Sequence, residues 1–154
     1  MAIVYLNIGS NLGNRENNIE KALDKIGDLF GYYGVSEIIE TEAWGFDSRQ
    51  KFLNIGVVIR TFLEPEKLLE RIKSIEKKIS DMSHRDSDGK YADREIDIDI
   101  MAIEGLKYES GKLQVPHRYL KARKFFLQPL YELNPEWRDP ESGETVSDLL
   151  SRIG

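Results

Sequence analysis

In the seven residues from Arg94 to Ile100, REIDIDI, charged and apolar side chains alternate without a break from Glu95 onward. In an extended chain successive side chains point to opposite faces, so Ile96, Ile98 and Ile100 share one face while Glu95, Asp97 and Asp99 share the other. A helix would scatter this pattern around its circumference, and the segment is therefore read as a half-buried strand. Like charges two positions apart on one face repel and raise each other's pKa. A solvated strand face is one explanation, since antiparallel sheets commonly keep a polar side, but such faces usually mix signs or carry Thr and Lys. The alternative is a metal platform. A two-residue step spans ~6.6 Å, so Asp97 and Asp99 can together reach one or two hard cations. Mg²⁺, which keeps several waters and takes one or two carboxylates plus substrate phosphates, suits such a pair, and phosphate chemistry becomes the leading class.

The strand ends a regular series of elements. Ile3 to Ile8 reads as a first strand, and GSNLGN after it as a tight turn into a helix between Asn14 and Phe30. There Ile19, Ala22, Leu23, Ile26, Leu29 and Phe30 recur at threes and fours, with Gly31 at the C-cap position. Strands two and three are placed at Gly34 to Thr41 and Lys51 to Phe62. A second helix begins at Glu64-Pro65, where proline's missing N–H costs nothing, and its buried stripe runs through Leu68, Leu69, Ile72, Ile75, Ile79 and Met82. With REIDIDI the order is βαββαβ. Two helices covering one face of an antiparallel sheet make this an α+β, ferredoxin-like core. Beyond it are expected a hairpin (Ile100 to Tyr108, then Lys112 to Val115), a short helix after Pro116-His117, the apolar segment FFLQPLYEL and a last helix from Val146 to Ile153. At 154 residues the chain suits one domain, 1–154.

With no cysteine, the chain has no disulfides, thiolate nucleophile or Cys-based zinc site. No apolar run approaches a membrane span and the start lacks the marks of a signal peptide, so a cytoplasmic protein with no membrane partner is expected. Net charge −5 speaks against nucleic-acid binding. An anionic substrate would need local cations. Arg118, Lys121, Arg123 and Lys124 cluster beside His117 and supply them, although a structural histidine beside a solvated helix face is the plainer reading of those residues alone. The GSNLGN turn has glycines but no Lys-Ser/Thr ending, so a tight strand-to-helix turn is favoured over a phosphate loop. Ser10 lies in no G-x-S-x-G elbow, which sets aside serine-histidine-aspartate catalysis.

Taken together, IGSNLG (Ile8 to Gly13), REIDIDI (Arg94 to Ile100), VPH (Val115 to His117) and RKFFLQPL (Arg123 to Leu130) resemble one family, the 6-hydroxymethyl-7,8-dihydropterin pyrophosphokinases of folate biosynthesis. The motifs occur in the family's order across nearly the whole chain. The resemblance implies transfer of pyrophosphate from ATP to the pterin hydroxymethyl group, releasing AMP, with two Mg²⁺ held by Asp97 and Asp99. It implies a pterin site made of Phe52 and Phe125 as stacking rings, Asn54 at the ring edge, and Thr41 with the backbone near Trp44. Read without the family, Phe52 and Phe125 are core residues first, whereas Asn54, an amide among apolar strand neighbours, calls for partners of its own. For ATP the matching positions are Glu76, Arg94, His117, Lys121 and Arg123. Arg85, in the polar segment Ser80 to Asp93, is the candidate to join Arg94 on the phosphates when that segment closes over ATP. The segment departs from the family in its few cations, Arg85 and Lys90, and in Tyr91 at a tryptophan position. The expected working unit is a monomer with ATP and reduced hydroxymethylpterin as its partners. Two other readings carry different expectations: a divalent-metal phosphohydrolase would need no pterin, and an RNA-binding module on the same topology would need a basic stripe.

Overall fold

The computed structural model describes residues 1–42, 51–81 and 95–153. Its centre is β1 (Ala2–Ser10), paired antiparallel with β4 (Phe52–Thr61) on one side and β5 (Asp97–Ile103) on the other. Two short strands, β2 (Tyr32–Val35) and β3 (Ile39–Thr41), pair in succession along the outer edge of β4. With α1 (Arg15–Phe30) after β1 and α2 (Pro65–Asp81) after β4, this is the ferredoxin-like order, with the two short strands together filling the place of strand two.

Strand parity sorts the side chains. Val4, Leu6 and Ile8 of β1, Ile55 and Val57 of β4, and Ile98 and Ile100 of β5 pack against the apolar stripes of α1 and α2. The first helix starts where Asn14 accepts the Asn17 N–H at 3.1 Å and ends at Gly31, whose φ of 62° suits a residue without Cβ. The opposite face carries a second core, centred on Tyr5, Val58 and Met101 and covered by α3 (Lys124–Leu133) and α4 (Val146–Ile153).

Three expectations change. Strand two is broken at Ser36 because its hydroxyl accepts the Gly56 N–H at 2.7 Å while Glu132 of α3 accepts the Glu37 N–H at 2.8 Å. Ser36 keeps one backbone bond to β4, its N–H to Gly56 O at 2.9 Å, and side chains take the other partners. The strand read in REIDIDI runs on to Ile103, through a bulge that leaves Met101 and Ala102 both in the second core, so the hairpin shrinks to β6 (Tyr108–Glu109) and β7 (Gln114–Val115). Finally, FFLQPLYEL is helical despite Pro129. The short helix after Pro116-His117 is a single 3-10 turn, Leu120–Ala122, and the last helix has the expected bounds.

Candidate active site

The register of the three central strands places Gly56, Asn7 and Asp99 side by side in one row and Asn54, Gly9 and Asp97 in the next. Both rows lie on the face turned away from α1 and α2, the first with Asn7 and Gly56 under α3. Gly9 is needed here: a Cβ on it would come within 3.0 Å of Asn54 Oδ1 and 3.5 Å of the Phe52 ring, so its bareness lets those side chains lie over β1. Asn54 is buried and donates to Thr41 Oγ1 at 2.9 Å, joining two of the expected pterin contacts. Phe52 and Phe125 are half-buried on this same side of the sheet.

Asp97 and Asp99 open toward the same space, with 25% of the Asp99 side chain exposed. Burial, then the charge of Asp97, holds the Asp99 carboxyl well above the usual carboxylate range, partly offset by Arg123. A divalent cation between the pair would reverse that strain. Among the described residues no group of three or more His, Asp or Glu side chains forms a metal cage. Two carboxylates with room for phosphate oxygens and water are the donor set that Mg²⁺ takes beside a nucleotide, so the residues present fit that ion.

Glu76 reaches this platform from α2: its Oε2 accepts the Ile98 N–H at 2.6 Å, fixing the peptide between the two aspartates. His117 stands on the other side. Its backbone N–H donates to Met101 O at 2.8 Å, its Nδ1 accepts the Tyr119 N–H at 3.1 Å, and its Nε2 lies 3.8 Å from Asp99 Oδ1. Because Nδ1 accepts, the proton of the neutral ring is on Nε2, facing the aspartate. Burial and the neighbouring Arg123 and Arg118 press the His117 pKa down to about 4. Arg123 is itself buried, its guanidinium 4.9 Å from the Phe126 ring centre, 5.0 Å from Tyr119 and 5.4 Å from Phe125. Lys121 points to the C-terminal region, with Nζ 3.3 Å from Asp139 and 3.6 Å from Glu144.

Thus Thr41, Phe52, Asn54, Asp97, Asp99, His117, Arg123 and Phe125 gather at one end of one face. Glu76 meets them at the strand edge, while Lys121 is engaged by two carboxylates of the C-terminal loop. Trp44, Arg85 and Arg94, and most of the segment Ser80 to Asp93, lie outside the described residues. The turn GSNLGN acts as a strand-to-helix turn: Asn18 donates to Ser10 Oγ at 3.3 Å and Leu12 O at 3.0 Å, and Gly13 takes a φ of 72°. Asn7 was not singled out by its sequence context, yet it carried the same signal as Asn54, an amide inside an apolar strand.

A family model described as 7,8-dihydro-6-hydroxymethylpterin-pyrophosphokinase (HPPK) matches residues 5–135, a span holding every residue of this site. The chain belongs to the HPPK family. Among its relatives, the 2-amino-4-hydroxy-6-hydroxymethyldihydropteridine pyrophosphokinase of Aquifex aeolicus is 39% identical over 135 residues, covering 88% of this chain and 82% of that protein. The protein of the same name from Methylorubrum extorquens is 34% identical, over 99% of this chain and 94% of the relative. A crystal structure of Plasmodium falciparum HPPK-DHPS superposes with a TM-score of 0.74 at 18% identity, over 99% of this chain. The chain spans 43% of that longer protein, and the likeness bears on the fold alone. HPPK enzymes are ATP-dependent diphosphotransferases, and this chain is one: it transfers pyrophosphate from ATP to hydroxymethyldihydropterin in folate biosynthesis.

Proposed function

We propose that residues 1–154 work as a single monomeric HPPK domain in which the half-covered sheet face is the site of transfer. Asp97 and Asp99 would hold two Mg²⁺, and the pterin would stack between Phe52 and Phe125 with its edge read by Asn54, Thr41 and the backbone near Trp44. The observation that carries this reading is the adjacency of the two rows: the paired aspartates are one strand away from the Gly9 hollow over which Asn54 and Phe52 lie. Such spacing sets a flat heterocycle beside a triphosphate, and positioning of this kind supplies much of the catalysis in phosphoryl transfer.

The divalent ions, when bound, neutralise the triphosphate and polarise its phosphorus atoms. The chain's own groups do the rest. Phe52 and Phe125 orient the pterin so that its hydroxymethyl oxygen faces the β-phosphorus; that oxygen forms the new O–P bond and gives its proton to solvent, the bond from the β-phosphorus to the α,β-bridging oxygen breaks, and AMP leaves with that oxygen. Neutral His117, with its Nε2–H turned toward the nucleotide side, donates a hydrogen bond without adding charge, while Arg123 adds a buried positive charge behind it. Glu76 contributes by holding the strand at the nucleotide's margin. We assign Lys121 to the outer rim of the ATP site, and Arg94 and Arg85 to the phosphates on closure of the segment Ser80 to Asp93. The enzyme would act in the cytoplasm, where its ATP is, without nucleic acid or membrane as partner; among the described residues no helix is long and apolar enough to cross a membrane.

The test is to incubate the protein with ATP, Mg²⁺ and hydroxymethyldihydropterin and identify the nucleotide product. AMP formed only with pterin present is the expected outcome. ADP, or equal turnover without pterin, would overturn it.

A further inference from the structure

We infer that Asn7 is a positioning residue for the pterin subsite, fixing Phe125 at its height over the sheet. The inference rests on the reading of Phe125 as a pterin contact. Pro129 sits inside α3, and a proline there has no N–H to give to the carbonyl four residues earlier. That carbonyl is Phe125's. Asn7, buried at the centre of β1, donates its Nδ2–H to Phe125 O at 3.0 Å and so takes the place of the missing helical donor. Pro129 meets the sheet one strand away: a Cβ on Gly56 would lie 2.7 Å from Pro129 Cβ and 3.0 Å from Leu133 Cδ1, so only glycine lets the helix settle so low. Asn7 and Gly56 are direct neighbours across β1 and β4, and Asp99 is the neighbour of Asn7 on its other side.

The proline therefore creates one unmet acceptor and one flat apolar surface, and adjacent sheet residues answer both. Because the bond ends on the backbone of Phe125 itself, it ties that ring's position to the strand lying next to the metal platform. A purely structural bond would affect melting alone. A positioning bond also changes how well the ring meets its substrate, leaving the nucleotide side nearly untouched.

The experiment measures the affinity of hydroxymethylpterin, with Mg²⁺ and a nonhydrolysable ATP analogue present, and separately that of the analogue, for Asn7→Ala, Asn7→Leu, Pro129→Ala and both double variants, with Phe125→Ala alongside. Asn7→Leu keeps the side-chain volume and cannot donate, so it serves if Asn7→Ala fails to fold. We expect pterin affinity to fall roughly three- to tenfold in either Asn7 variant, the range of one coupled buried hydrogen bond, with analogue affinity changed less than about twofold. In the Pro129→Ala background, where residue 129 regains an N–H for Phe125 O, the same Asn7 change should cost clearly less. Equal loss in both backgrounds, or unchanged pterin affinity where Phe125→Ala weakens it, overturns the inference. If Phe125→Ala itself leaves pterin affinity unchanged, the subsite reading of Phe125 falls, and this inference with it.

Discussion

The two faces of the sheet are built from the same strands and differ in how much of each is covered. Over one face lie α1 and α2, of 16 and 17 residues, and the fully buried cluster between them and the sheet is aliphatic, with Phe30 and Tyr108 at its margin. Over the other lie α3 and α4, of 10 and 8 residues, which seal the end holding Tyr5, Val58 and Met101, reach Asn7 and Gly56, and leave the Asp99 side chain partly exposed. A fully covered face has no room for an unpaired charge. A partly covered face shields polar groups enough to shift their protonation while leaving them reachable, and Asp99 and His117 show both effects. One strand, β5, thus supports folding with its isoleucines and, in the proposed site, chemistry with its aspartates.

The sharpest break in that comparison comes from neighbouring positions on β5. Asp97→Ala and Asp99→Ala are each expected to lower kcat by about a thousandfold or more, as loss of a charge-stabilising group in phosphoryl transfer does, with unchanged or slightly raised melting temperature because a like-charge contact is relieved. Ile100→Ala should do the reverse, costing about 2–5 kcal/mol of stability. Steady-state kinetics at saturating Mg²⁺ and denaturant unfolding check both arms, and an aspartate variant with near-parental turnover would remove the platform.

A second measurement separates the faces by pH. Since the folded-state pKa of His117 is depressed to about 4 against an ordinary 6.5, the unfolded chain binds its proton first as pH falls. The associated stability is complete above pH 6.5 and is lost between 6.5 and 4, by up to about 3 kcal/mol. Unfolding free energies of the parent and His117→Asn over that range should converge as pH falls if the parent starts ahead. Parallel curves would show that the imidazole does not titrate this way.

Glu76 works from the covered face on the open one. Glu76→Gln keeps an oxygen for the Ile98 N–H, whereas Glu76→Ala does not. The alanine variant is expected to weaken metal binding about 10–100-fold, as loss of a group that orients a ligand does, with the glutamine variant close to the parent. Mn²⁺ titration in the presence of an ATP analogue, together with the Ile98 amide proton shift, tests this; equal loss in both variants would mean that the carboxylate's charge, and not its grip on the strand, matters. The smallest effect is expected at Phe125, where alanine should cost pterin binding about 0.5–1.5 kcal/mol of stacking plus lost apolar contact, and little melting temperature because the ring is half-exposed. A large melting drop with unchanged pterin affinity would place the ring in the core.

The parts of this molecule that could be read along the chain are those whose signal is local and periodic. The helix stripes of α1 and α2, the alternation of β5 and the placing of Asp97 with Asp99 on one face follow from repeat lengths of 3.6 and 2 residues, Gly31 marks the end of α1 by its freedom of φ, and the structure has them. The family motifs added the substrates, which periodicity alone does not name. What the chain order could not decide were events between distant residues. The break at Ser36 depends on Gly56 and Glu132, the run of β5 past Ile100 depends on a bulge against β1, and the helical state of FFLQPLYEL depends on Asn7 and Gly56 answering Pro129. Lys121, read as a nucleotide cation, is shared with Asp139 and Glu144, carboxylates that come close only when the C-terminal loop folds back. A side chain's local pattern sets which face it takes. Which partner it meets there is set by the register between strands that are separate in the chain, and that is a property of the folded sheet alone.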